Sequence, residues 1–347
     1  MHRRYSMIAG VLAATWTAAG SASARDLAGD LGLTDLIGRL GQPNTPTGAN
    51  VVVAQVEGLD AGAYGPDQTD PEFAGKTFVP QNGAPGNSSH ATVVAQYYFG
   101  LVSSISPGIS TIYLYEAVGW IQGSYLRLGQ GAGNPPLVAP GQIKIINNSW
   151  GGSFNNASLD NEVMRRADFA VSRDNLIMSH GLPNTGQSFP LMATTFNGIA
   201  VGLSNGTHAT GTTGASYDGP GRMKPDLVGP IDQTSFAAAM IRGAGSLMVQ
   251  TARTLPSLMG NPNAQRSELV KSVLMCGARR RGIWTNNPST SGATRGTTST
   301  PLDPIYGADQ VNVNLAHLIL TGNEQNGSTT PPTVANATYR RWDLVYI

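Results

Sequence analysis

The chain has 347 residues, of which 40% are hydrophobic and only 12% charged, with Gly 43 and Pro 22. That supplies a buried core and many turns, and it excludes a coiled coil, a disordered polymer or a charge-driven nucleic-acid binder. The formal charge is +1 and the single cysteine, Cys276, excludes an intramolecular disulfide or a Cys-rich metal site. Lying in the apolar run Val273-Leu274-Met275-Cys276, it is expected to be a buried, inert thiol.

Residues 1–24 have the pattern of a secretory signal peptide: a basic start at Arg3-Arg4, an apolar stretch from Met7 to Gly20, and the small-x-small site Ala22-Ser23-Ala24. The Arg3-Arg4 pair fits ordinary export and leaves a twin-arginine route open. Without the leader, 20 basic residues face 21 acidic ones, so no long-range electrostatic partner is implied. The product is expected to be secreted or periplasmic, with no membrane contact once the leader is gone.

After a short polar N-terminal lead over 25–49, apolar runs of strand length at 51–56, 111–115, 143–147, 175–178 and 198–201 alternate with helical segments at 89–99, 159–173, 235–253, 266–276 and 312–320. Most of the strands lack polar/apolar alternation, as expected where helices cover both faces of a sheet. An α/β fold follows, with a mostly parallel central sheet and helices on both faces, as one domain over 50–321. Segments 202–221 and 282–304 are rich in Gly, Ser, Thr, Asn and Pro and are expected to be loops. Residues 322–347 form a linker and tail, with one further strand expected at 339–347.

In open parallel sheets the working residues gather at the carboxyl ends of the strands. Glu57 follows the first strand, His90 opens a helix, Asn184 follows the strand at 175–178, and Ser235 opens an apolar helix. A carboxylate, an imidazole, an amide and a hydroxyl are the set that acyl transfer requires. The imidazole takes the hydroxyl proton, the carboxylate fixes its tautomer, and amide donors hold the oxyanion. A serine at a helix start also gains the positive dipole end and a free backbone N–H.

The words around these residues resemble those of the subtilisin-like serine proteases. Val53-Ala54-Gln55-Val56-Glu57-Gly58 is similar to the family's V-A-V-I-D-x-G. His90-Ala91-Thr92-Val93-Val94-Ala95 is similar to H-G-T-x-V-A, and Asn147-Asn148-Ser149-Trp150-Gly151-Gly152 to N-x-S-x-G-G. Lys224-Pro225-Asp226-Leu227-Val228-Gly229-Pro230 resembles K-P-D-x-x-A-P-G. Gln233-Thr234-Ser235-Phe236-Ala237-Ala238-Ala239 resembles G-T-S-x-A-x-P, and Tyr306-Gly307-Ala308-Asp309-Gln310-Val311-Asn312 a closing Y-G-x-G-x-V-N. Six words in the family's order cover about residues 50–320. The resemblance implies a secreted serine endopeptidase with Ser235 as nucleophile, His90 as general base, Glu57 as orienting acid and Asn184 as oxyanion donor. It also implies that the backbone of Ser149, Trp150 and Gly151 pairs with an extended peptide. A peptide or protein substrate, a monomer and no nucleic-acid partner are expected. No cofactor is expected; calcium, which the family often binds, has no ordered acidic loop to locate it.

The departures from the family matter. Glu57 stands for an Asp, which moves the carboxylate by about 1.5 Å. Gln233 stands for a Gly, Ala239 for a Pro, and two residues are inserted before Asn184 in Ser179-His180-Gly181-Leu182-Pro183-Asn184. The stretch from Arg25 to Asn50 is too short to be the pro-segment that the family commonly carries. Several blander roles stay open: Asp60 as a rival acid, Ser235 as an N-cap, Asn184 as a turn residue, and His180, His208 and His317 as core or surface groups. Two rival functions also remain. One is a hydrolase elbow at Gly202-Leu203-Ser204-Asn205-Gly206, disfavoured because the residues after it do not favour a helix. The other is a catalytically inactive subtilase-fold module that binds peptide or serves a structural role, for which the discriminating feature is the reach of Glu57 to His90.

Overall fold

The computed structural model describes residues 26–186 and 191–324. The leader expected at 1–24 and the strand expected at 339–347 lie outside the described residues. Seven parallel strands form the central sheet: β1 (Val53–Glu57), β2 (Thr77–Pro80), β3 (Thr111–Glu116), β4 (Ile145–Asn148), β5 (Ile177–Gly181), β6 (Ile199–Leu203) and β9 (Leu227–Gly229). Their order is β2-β3-β1-β4-β5-β6-β9, and a separate antiparallel pair joins β7 (Gly211–Thr212) to β8 (Met223–Lys224). The inner strands β1, β5 and β6 are buried along their whole length, which is why their sequences run apolar without alternation.

The helices are α1 (Leu27–Asp30), α2 (Leu33–Leu40), α3 (Ser89–Phe99), α4 (Ala117–Gly119), α5 (Ala157–Asp174), α6 (Thr234–Thr254), α7 (Ser267–Cys276) and α8 (Val313–Leu320). One face of the sheet carries α3, α6, α7 and α8, whose apolar residues merge with Val53, Ile145, Ile177 and Val201 into one core cluster. The other face carries α5 and the segment around Trp120, packed on Ala54, Val56, Ile146 and Met178. The α/β fold with helices on both faces is therefore present.

Helix α6 runs through the middle of the molecule, and before Gln250 Ser235 is its only residue that is not buried. Its run of Ala and Gly brings it close to the sheet; Gly245 lies against Ile145 and Ile177. A helix apolar all round belongs in a core, and this one leaves only its first turn open to the strand ends.

Three expectations change. The lead over 25–49 is not simply a polar approach, because it folds into α1 and α2, buries Leu31 and Leu36, and ties to α8 where Val313 N donates to Leu31 O at 2.8 Å. Strands β2 and β9 of the central sheet and the short pair β7–β8 are additional to the five expected, and β7 falls within the segment 202–221 expected to be a loop. Cys276 is exposed, not buried: α7 buries Leu269, Val270, Val273 and Leu274, so the next inward position is Gly277 and the thiol falls on the outer side.

Candidate active site

The chain leaves β1 to build β2 and β3 on one side and then crosses to β4 on the other. A crevice therefore opens at the carboxyl ends of β1 and β4. Glu57 closes β1 there, next to Glu116 of β3, and its side chain is buried. His90 sits in the first turn of α3, capped by Ser88, whose hydroxyl accepts from Ala91 N at 3.1 Å. The two meet: His90 Nδ1 lies 3.1 Å from Glu57 Oε2. The longer side chain therefore reaches the imidazole.

The other carboxylate oxygen, Oε1, accepts from Gln55 Nε2 at 3.0 Å, and the same amide donates to Ala91 O at 2.9 Å. Gln55 was not singled out in the sequence, although a lone amide inside Val53-Ala54-Gln55-Val56 was the available signal. Burial pushes the Glu57 carboxyl up from its ordinary range, and the hydrogen bond and charge of His90 moderate the rise. Burial pulls His90 down, but the hydrogen bond and charge of Glu57, with the charge of Asp60, together raise it above the ordinary value. Asp60 is not bonded to the imidazole; its Oδ2 accepts from Ser88 Oγ at 3.1 Å.

Ser235 lies in the first turn of α6, and the ring of the next residue, Phe236, is 6.1 Å from that of His90. Gln233, at the N-cap, makes no side-chain capping bond. Asn184 does that work: its Oδ1 accepts from Thr234 N at 2.9 Å and from Thr234 Oγ1 at 3.1 Å. With the carbonyl so engaged, the Asn184 NH2 is available beside the free first-turn N–H groups of α6. The segment that leads to Asn184 runs on beside β6: Leu182 N donates to Val201 O and Ala209 N to Pro183 O, both at 2.9 Å. Gly181 lets this segment and α6 come this close, since a Cβ there would stand 3.0 Å from the Thr234 carbonyl, a tight contact.

Ser149 is turned inward. Its hydroxyl donates to Ser235 O at 3.0 Å and accepts from Asn147 Nδ2 at 2.8 Å, so its side chain braces α6 and only the backbone of the Ser149-Trp150-Gly151 edge could meet a ligand. Trp150 is buried with Nε1 donating to Asn148 Oδ1 at 3.1 Å, and Gly151 is exposed. Beneath Trp150, the His180 ring packs edge-on at 5.4 Å. Burial brings His180 down to about 3, which keeps it neutral.

The remaining words are structural. Lys224 Nζ pairs with Asp226 Oδ2 at 2.9 Å, buried, and that oxygen also accepts from Ala200 N at 2.7 Å. Ser204 Oγ donates to Gln310 Oε1 at 2.8 Å, and no helix follows β6, so the hydrolase elbow is absent. His208 accepts from Leu203 N, and His317 is bonded to Arg39. Among the described residues no group of three or more His, Cys, Asp or Glu could hold a metal ion, and no helix is long and apolar enough to cross a membrane.

A hydroxyl on a helix start, an imidazole backed by a buried carboxylate and an amide beside the same helix start can, in combination, form and break an acyl ester. No family model and no curated protein matches the sequence. Among solved structures, the prenylagaramide maturation protease PagA is similar with TM-score 0.50 and 17% identity, over 82% of this chain and 97% of that one. A lanthipeptide protease is similar with TM-score 0.51 and 16% identity, over 84% and 93%. The A-subunit of the AB5 toxin from E. coli is similar with TM-score 0.51 and 20% identity, over 85% and 98%.

The fold is subtilisin-like. Glu57 closes β1, Asn184 follows β5, and His90 and Ser235 lie in the first turns of α3 and α6; the structure joins Glu57 to His90, and Asn184 to Thr234 beside Ser235.

Proposed function

We propose that the protein is an exported serine endopeptidase that hydrolyses peptide bonds through an acyl-enzyme. His90 takes the Ser235 hydroxyl proton as the oxygen attacks the substrate carbonyl, and later returns it to the leaving amine. Glu57 holds the imidazole with Nδ1 protonated and stabilises the imidazolium. The Ser235 N–H and the Asn184 amide stabilise the oxyanion, while the backbone edge at Ser149-Trp150-Gly151 aligns an extended peptide or protein segment, bound by a monomer without a cofactor.

The observation that carries this reading is the 3.1 Å contact of His90 Nδ1 with the buried Glu57 carboxylate, since an inactive module has no need of that pairing. The test is hydrolysis of an unstructured polypeptide, with products identified by mass spectrometry. Ser235→Ala should lower the rate by at least about 10⁴-fold while leaving the fold intact. Equal cleavage by the wild type and a folded Ser235→Ala would refute the reading.

A further inference from the structure

Beneath the first turns of α6 lies a row of buried polar side chains that the triad does not explain. Gln55 of β1 is in register with Asn147 of β4, and Asn147 with Ser179 of β5. All three are at most 1% exposed. They share the face of the sheet that α6 covers, since their neighbours at i−2, Val53, Ile145 and Ile177, belong to the core cluster with α6. Arg242 comes down from α6 onto this row: it is 0% exposed, and its Nε donates to Ser179 Oγ.

Every other polar atom left over in this layer is complementary to another. Arg242 Nη1 and Nη2 have no acceptor among the described residues; Gln55 Oε1, Asn147 Oδ1 and the Tyr98 hydroxyl of α3 have no partner either. Two donor nitrogens of a buried cation thus share a layer with two carbonyl oxygens and a phenol. Adjacent strands are about 4.8 Å apart, so Asn147 is one strand from the Ser179 anchor and Gln55 two. A buried guanidinium without acceptors is not a stable arrangement, whereas a polar recess with two to four partners is where buried water resides.

We propose that Arg242 is a positioning residue for the Glu57–His90 pair: its guanidinium, anchored on Ser179, is joined through buried water to the side-chain oxygens of Asn147 and Gln55, and so fixes the Gln55 amide that holds Glu57 while placing a positive charge behind the carboxylate. The inference rests on the peptidase reading only for its meaning; the network itself does not depend on turnover. Burial brings Arg242 down to about 9, which leaves it charged at neutral pH. It also accounts for the tolerance of Glu at this position, because the amide of Gln55 engages the very oxygen that His90 leaves unused.

The sign of the electrostatic effect is fixed. Losing a proton takes the His90–Glu57 pair from net zero to net negative, which a nearby cation favours. Other charged or titratable groups around the pair are Asp60 after β1 and Glu116 at the end of β3, while Tyr97 of α3 packs on Phe236 and faces Asp232 before α6. Around Arg242 they are Tyr98 of α3 and Lys271 of α7, the latter beside Asp226 and Lys224. None of these changes in the variants below.

The test is an NMR titration of the His90 ring in the full chain, assigned against His90→Gln, in the wild type, Arg242→Met, Arg242→Gln and Arg242→Lys. The two neutral variants should raise the His90 titration by about half to one pH unit, and Arg242→Lys should restore it. Arg242→Gln, which keeps a polar partner for Ser179, carries the test where Arg242→Met does not fold. An unchanged titration in a folded neutral variant overturns the proposal. Because the ring is read without turnover, a chain that never cleaves a peptide refutes the peptidase reading alone.

Discussion

Replacing Asp by Glu at an orienting position lengthens the side chain, and the surrounding residues account for how this chain accommodates it. Glu57 is gripped from both sides, by His90 on Oε2 and Gln55 on Oε1. Because His90 is raised above its ordinary 6.5 and must be neutral to act as a base, peptidase activity should fall as pH drops through a midpoint above 6.5. The stability that the His90–Glu57 contact lends through this raised value is present below 6.5 and lost as pH rises through the folded value. A pH–rate profile checks the first point, and a midpoint at or below 6.5 would contradict it. Asn184 caps α6 through Thr234 N and, in the proposed mechanism, also holds the oxyanion. Asn184→Ala should reduce kcat by about 10²–10³-fold with KM little changed, and lower stability by about 1 kcal/mol because Thr234 N loses its cap; paired kinetics and thermal melts separate the two. The Glu57–His90 contact was legible in the sequence because each residue sits in a word that resembles the family's. Gln55 and Arg242 were not, because an amide in a strand or an arginine in an apolar helix acquires meaning only once register places them in one layer.

The long elements were legible to within a few residues, and α3 to the residue, because an N-cap serine and a following glycine mark its ends. What escaped was short or was discounted for its setting. β2 is a four-residue edge strand ending in Pro80, and β9 has three residues, too few for a period to show. α2 had a signal in Leu33, Leu36, Ile37 and Leu40, a helical stripe that a polar reading of 25–49 obscured. At this scale the Lys224–Asp226 pair matters most, since it fastens the approach to β9 against β6 and faces Lys271 of α7 at 3.9 Å. Burial pushes Asp226 up, but Lys224 and Lys271 outweigh it and hold the carboxyl below its ordinary 3.8. Its contribution is thus present above pH 3.8 and lost as pH falls through the lower folded value. Asp226→Asn, which leaves Lys224 buried and unpaired, should cost about 3–5 kcal/mol, a large share of the ~5–15 kcal/mol that holds a protein folded. Denaturant unfolding at neutral pH measures it, and a loss below about 1 kcal/mol would refute this account of the pair.

Across the whole molecule, one sheet carries the acid on β1, the amide after β5 and, through helices packed on a single face, the imidazole on α3 and the hydroxyl on α6. That convergence follows from the strand order, which sequence periodicity cannot give; only the order of the words along the chain anticipated it. In the proposed mechanism the fold brings Glu57 and Ser235, 178 positions apart in the chain, to one site. The most direct test of the central claim is reaction of the purified protein with a fluorophosphonate, the adduct being located by peptide mass spectrometry. The account predicts one covalent adduct on Ser235, lost in a folded His90→Ala. A folded chain that stays unlabelled, or that is labelled on Ser204 instead, would contradict it.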